Sequence, residues 1–210
     1  MSILKKIAFF QNRRDEVPNQ ELAHELALTR SADDIREIAE NLLNKEPNIQ
    51  SDCLKVLYEL GYLAPELIAE YVDDFFQLLR HPNNRMVWGG MIALSTIASR
   101  QAEKIFPHLE EIKKVMKAGS VITNDAGMKT LAEIAARKEG FRHRITPYLL
   151  ERLADCRAAD APRYAESIFI AIGPAEKADF IRIVNQWIGS ASGSRLARLK
   201  KVLKRAERIT

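Results

Sequence analysis

The feature that most constrains this chain is a short cadence that returns at a fixed interval. Leu57-Tyr58-Glu59-Leu60-Gly61 is echoed by Leu94-Ser95-Thr96-Ile97-Ala98, Leu131-Ala132-Glu133-Ile134-Ala135 and Phe169-Ile170-Ala171-Ile172-Gly173. Their fourth residues, 60, 97, 134 and 172, stand 37, 37 and 38 positions apart. An interval of this size marks an array of two-helix units, each of which buries its apolar face only against its neighbours. Residues 65–173 carry the pattern most clearly. No period-2 alternation competes with the helical spacing, so the expected class is all-α, a solenoid of about five antiparallel helix pairs.

A chain of 210 residues would ordinarily make one large or two small domains. The array accounts for the same length as one elongated domain, 1–210, with capping helices over 1–30 and a basic capping pair over 176–210. At 47% apolar and 29% charged residues the chain can fill a core. The net charge of +4 is unevenly spread, because residues 195–208 hold seven Lys or Arg against one Glu and leave the rest slightly acidic. A basic stripe along the whole body, the usual footprint of a nucleic-acid binder, is not present. Cys53 and Cys156 lack metal spacing and read as small buried residues in a reducing compartment. No apolar run is long enough for a membrane span, and the broken apolar start, ending in Gln11-Asn12-Arg13-Arg14, does not read as a signal peptide. A soluble cytoplasmic protein is the expectation.

In chain order, residues 2–13 are compatible with an amphipathic helix, serving as a cap or as a surface-binding arm. Asn19 is the expected cap of a helix over 20–29, and Ser31 of one over 32–44. A helix over 49–61 is expected to close on Gly61. Pro65 suits the first turn of the next unit, which pairs 65–80 with 84–99 across His81-Pro82-Asn83-Asn84. Further pairs are expected over 102–117 with 122–138, 141–156 with 161–172, and 175–188 with 194–208. Gly189 to Gly193 reads as a flexible connection within the last pair.

The segment from Phe75 to Ala98, FFQLLRHPNNRMVWGGMIALSTIA, resembles a HEAT repeat: an apolar first helix, a turn with proline, and a small-residue-rich second helix ending Leu-x-x-Ile-Ala. Pro107 and Pro147 within their first helices are similar to the kinked first helix of that family. The resemblance covers 65–173 best and departs in the turns, where Asn83 and Val87 stand in place of the Asp and Arg of the family's ladder. It therefore embraces the related armadillo pattern too. The resemblance implies a right-handed superhelix with second helices on its inner surface, and a role in binding.

No residue pattern in the chain amounts to a catalytic signature. His24, His81, His108 and His143 have no second histidine at helical spacing, so no metal site is expected. Asp33-Asp34 and Asp73-Asp74 are adjacent pairs whose side chains diverge by about 100° on a helix. Gly189 to Gly193 lacks the serine of a nucleophile elbow. No phosphate-cradling loop or cofactor fingerprint appears, and no cofactor is expected.

Binding candidates come from the second helices. Lys55 and Lys129 share one register position; Arg85 with Trp88, and Arg163 with Tyr164, have the composition of interface hot spots, although Trp88 can equally pack between repeats. On the last helix Arg198, Lys201, Arg205 and Arg208 form a candidate anion-binding stripe opposite Leu196, Leu199, Val202, Leu203 and Ala206. A solvated cap would show the same pattern. The leading expectation is a non-enzymatic scaffold for a protein or peptide. The alternative is nucleic-acid binding, on a resemblance to helical-repeat alkylpurine DNA glycosylases that extends to Trp88 and Arg85 but not to their tandem tryptophan and aspartate.

Overall fold

The computed structural model describes residues 2–210; Met1, at the head of the expected N-terminal cap, lies outside the described residues. Among the described residues the regular structure is entirely helical. Contacts gather the chain into two compact units, Met1–Gly127 and Met128–Thr210.

The first unit opens differently from the expected amphipathic helix. Ile3–Lys6 form a 3-10 turn, and the segment is anchored by side chains rather than by its own ladder. Ile3 and Ile7 are buried, while Glu37 accepts from the Ser2 hydroxyl and from Ile3 N. Helix α1 (Val17–Thr29) begins three residues earlier than the Pro18-Asn19 pair suggested. Proline occupies its first turn, so Asn19 is inside the helix and not its cap. It is fully buried: its amide oxygen accepts from Ala8 N at 2.9 Å and its Nδ2 donates to Asp52 at 2.8 Å. Asp52 also accepts from Phe9 N at 2.7 Å. One amide and one carboxylate thus hold the start of the chain.

Helix α2 (Ala32–Glu40) has the expected Ser31 cap, which accepts from Asp34 N, with Asp33 and Asp34 suited to the positive helix end. It gives way to a 3-10 turn over Asn41–Leu43. Helix α3 (Pro47–Leu63) starts with proline at a first-turn position and runs through Gly61 to an end at Ala64. Gly61 therefore does not stop the helix. Its bare Cα faces the side chains of Ile68 and Thr96.

The expected first helix over 65–80 is broken. Pro65–Leu67 and Ala69–Tyr71 are 3-10 turns, and only helix α4 (Val72–Leu78) is regular. The side-chain amide of Gln101 donates to the carbonyl of Ala69 at 2.9 Å, satisfying a group released by the break. Ile68, Val72, Phe75, Phe76 and Leu79 are buried, so the apolar pattern holds although the helix does not. Helix α5 (Asn84–Ile97) is capped by Asn83, which accepts from Arg85 N at 2.9 Å. Gly89 lies over Leu54 and Gly90 over Leu78 and the Phe75 carbonyl, so both glycines admit close packing on opposite sides of α5.

Helix α6 (Ala102–Ile105), a 3-10 turn over Phe106–His108 and helix α7 (Leu109–Ala118) replace one expected helix, with the break at Pro107. His108 stacks on Phe76 at 4.2 Å, and Glu111 takes a two-point contact from Arg80 at 2.6 and 2.9 Å. Helix α8 (Val121–Ala135) follows, and the division between units falls within it.

In the second unit helix α9 (Glu139–Ala154) continues through Pro147 as one helix. Helix α10 (Ala161–Ile168) ends in a 3-10 turn, Phe169–Ala171. Helix α11 (Lys177–Ser190) extends into the expected flexible connection and leaves only Ala191 and Ser192 before helix α12 (Gly193–Ala206). Gly193, at φ 57°, supplies the left-handed residue that this tight turn requires. Trp187 donates to the Leu153 carbonyl at 2.8 Å, and Lys177 to the carbonyls of Glu207 and Ile209 at 3.0 and 2.7 Å.

Burial pushes the Cys53 thiol pKa up to about 12, with Asp52 and Glu37 adding to it, and that of half-buried Cys156 up to about 11. The thiolate is the reactive form. At neutral pH a maleimide is expected to modify Cys156 slowly and Cys53 only after unfolding. Fast labelling of Cys53 in the native protein would contradict its packing.

Candidate partner-binding surfaces

Three of the six binding candidates come together in the first unit. Lys55 leaves α3 and is almost fully buried, its side chain 8% exposed. Its ammonium is 2.6 Å from Glu59, one turn on, and 2.9 Å from Glu16, which precedes α1. Burial alone would lower its pKa, but the hydrogen bonds to Glu59 and Glu16 outweigh that and raise it. It is a charged group held within the fold rather than a free probe of solvent. The reach of Glu16 was not visible in the sequence, whereas the Lys55–Glu59 pair follows from their i,i+4 spacing.

Glu16 also binds Arg85. The Arg85 guanidinium is 2.8 Å from its second oxygen and 6.0 Å from the Trp88 ring centroid. Trp88 is tilted against Tyr58 at 6.3 Å, and Tyr58 meets Tyr62 edge-on at 6.5 Å. The Lys55 ammonium lies 4.8 Å from the Tyr58 centroid. The result is a rank of three aromatic rings across α3 and α5, backed by two cations and two carboxylates. Tyr58 is buried and Tyr62 is 53% exposed, so the rank leads from core to solvent. Burial raises the pKa of both phenols and keeps them protonated as hydrogen-bond donors.

Beside this rank, at the start of α3, a cleft of about 460 Å³ is lined by Arg13, Arg14, Asp15, Glu16, Asp52 and Arg85. Its charges are balanced, since Arg13 pairs with Asp15 at 2.8 Å and Arg85 with Glu16. A second cleft, about 720 Å³, lies between the turn into α5 and α7 and is lined by Leu79, Pro82, Val87, Val115 and Lys114 among others.

The other candidates belong to the second unit. Lys129 is half-buried on α8. Arg163 is 2.6 Å from Asp160, which also receives Arg157 at 2.7 Å. Tyr164 is 4% exposed, because its register position packs against neighbouring helices, as do Gly89 and Ala126. On α12, Arg198 makes a two-point contact with Glu166 of α10, and Arg205 lies 4.2 Å from the Phe169 centroid. Lys201 and Arg208 are exposed. Among the described residues no group of three His, Cys, Asp or Glu is placed to hold a metal ion, and no helix is long and apolar enough to cross a membrane.

No protein-family model and no curated protein matches the sequence. Solved structures do match. An engineered protein aligns at a TM-score of 0.68 and 16% identity, covering 99% of this chain and 97% of its own. A designed armadillo repeat protein, in complex with the peptide (KR)4, aligns at 0.67 and 13% identity, with 98% and 99% covered. The fold is an armadillo/HEAT-like helical repeat. Within Kap121p the repeat aligns at 0.67 and 14% identity, spanning 98% of this chain and 23% of that one. At these identities the likeness is one of fold.

Proposed function

We propose that this protein is a non-enzymatic scaffold that holds a protein or peptide partner on the α3–α5 face of its first unit. The observation that carries the reading is the Tyr62–Tyr58–Trp88 rank ending at Arg85. Rigid aromatic rings with an adjacent guanidinium supply large contact area at small entropic cost, the composition of binding hot spots. The fold supports it as well: the designed armadillo protein was solved with a bound peptide, and Kap121p with Pho4p and with Ste12p.

Local charge favours a protein over a nucleic acid at this face. Lys55 and Arg85 are matched by Glu16 and Glu59, so the rank offers no excess cation to a phosphate chain. A glycosylase-like use of Trp88 and Arg85 would require Glu16 to release Arg85.

The test is a photo-crosslinking amino acid at Tyr62, used in cells, followed by affinity measurements on the protein it captures. Trp88→Ala is expected to weaken that complex about thirtyfold, the equivalent of about 2 kcal/mol, with Arg85→Ala close behind. Unchanged affinity in both variants, or crosslinking to nucleic acid with a steep salt dependence, would refute the assignment.

A further inference from the structure

The outer half of α12 has more charge than its surroundings balance. Leu199, Val202 and Ala206 are buried against the unit, and the cations occupy the remaining surface. Only Arg198 meets a carboxylate. Arg195, Lys200, Lys201, Lys204, Arg205 and Arg208 form no ion pair among the described residues. Lys200 with Lys204, Lys201 with Arg205 and Lys204 with Arg208 are like charges at i,i+4, an arrangement that is unfavourable in an isolated helix.

Glu166 shows what this surface accepts. Its carboxylate sits on the ridge, gripped by Arg198 Nε and Nη2 at 2.9 and 2.5 Å. That grip, helped by Lys201 and Arg205, holds its pKa below the ordinary carboxylate range against the opposing effect of burial. Apolar surface adjoins the cations. Phe169 lies beneath Arg205, and Ile170, the next residue, is 44% exposed. The Phe169 face is covered by the guanidinium and so is not open for a base to stack upon. Fourteen helical residues extend about 21 Å at 1.5 Å per residue, room for about six residues of extended peptide.

We propose that the α12 ridge is a docking surface for an acidic segment of a partner protein, its carboxylates set along Lys201, Arg205 and Arg208 and an apolar side chain against Ile170. The ridge belongs to the second unit, and the proposal stands whether or not the α3–α5 reading does.

Fluorescence anisotropy on the full chain at low salt tests it, with a labelled peptide alternating Glu and Leu, its Gln–Leu counterpart, a single-stranded DNA of equal charge, and phosphatidylserine vesicles. The Glu–Leu peptide is expected to bind in a salt-sensitive manner and the Gln–Leu peptide not to bind. Lys201→Glu with Arg205→Glu should weaken binding about tenfold or more. Lys201→Gln with Arg205→Gln, which keeps helix-compatible side chains without the repulsion, should give an intermediate loss. Ile170→Asn, which removes the apolar side chain without adding charge, should weaken the peptide as well, an effect that a purely electrostatic surface would not show. Tighter binding to the DNA or the vesicles, or an affinity indifferent to the α12 variants, would overturn the proposal. Trp88→Ala should leave this binding intact; its loss there would move the peptide off the ridge.

Discussion

Gly61→Val is expected to destabilise the first unit by about 3 kcal/mol or more, and Gly61→Ala by about 1–3 kcal/mol. Helix propensity alone predicts the opposite sign, since alanine in a helix interior gains about 1 kcal/mol over glycine. Packing decides the contest. A Cβ on Gly61 would overlap Thr96 Oγ1 and stand 2.8 Å from Ile68 Cδ1 and 2.9 Å from Thr96 Cβ. Neither neighbour is a loose surface chain. The Thr96 hydroxyl is bound to the Ala93 carbonyl at 2.7 Å, and Ile68 is fully buried. Urea unfolding of Gly61→Ala, Thr96→Ala and the double variant measures the coupling, and Thr96→Ala should recover part of the loss. A neutral or stabilising Gly61→Ala would mean that Thr96 and Ile68 give way and that helix propensity outweighs the close packing.

Asn19→Leu preserves approximate volume and removes the amide. The expected cost is about 2–3 kcal/mol, because a buried Ala8 N–H loses its acceptor and Asp52 loses a donor. The effect should be local before it is global. Amide exchange at Ala8 and Phe9 should accelerate, while exchange in the middle of α5 follows overall stability alone. Equal protection at residues 8 and 9 in the variant would mean that the N-terminal segment is held by its apolar contacts, Ile3 and Ile7, and not by the Asn19–Asp52 pair.

The helical order was legible because its signals are local. The Ser31 cap, the first-turn position of Pro65, the break at Pro107 and the two-sided pattern of α12 all lie within a turn or two of the residues that determine them. What was not legible depends on distant partners. Gly61 after an apolar run has the same neighbourhood as a helix terminator, and Thr96, 35 residues on, decides otherwise. Asn19 after proline looks like a cap until Asp52 and Ala8 close on it. The N-terminal segment has the composition of an amphipathic helix, yet its polar contacts run to Glu37, Asn19 and Asp52. In the candidate site, repeat register selected Lys55 and hot-spot composition selected Arg85 and Trp88, which the structure joins. The bridge between them, Glu16, lies outside the clear repeats and had no periodic signal.

Two missing side chains have a consequence for recognition. Gly61 admits Thr96 near the far end of α5, and Gly89 admits Leu54 near its beginning. Together they act as a spacing gauge between the two helix axes, one of which carries Tyr58 and Tyr62 and the other Trp88. The gap between those rings is thus governed from underneath, by backbone rather than by the aromatic groups themselves. Selectivity at the surface could be retuned by a methyl group that no ligand ever touches.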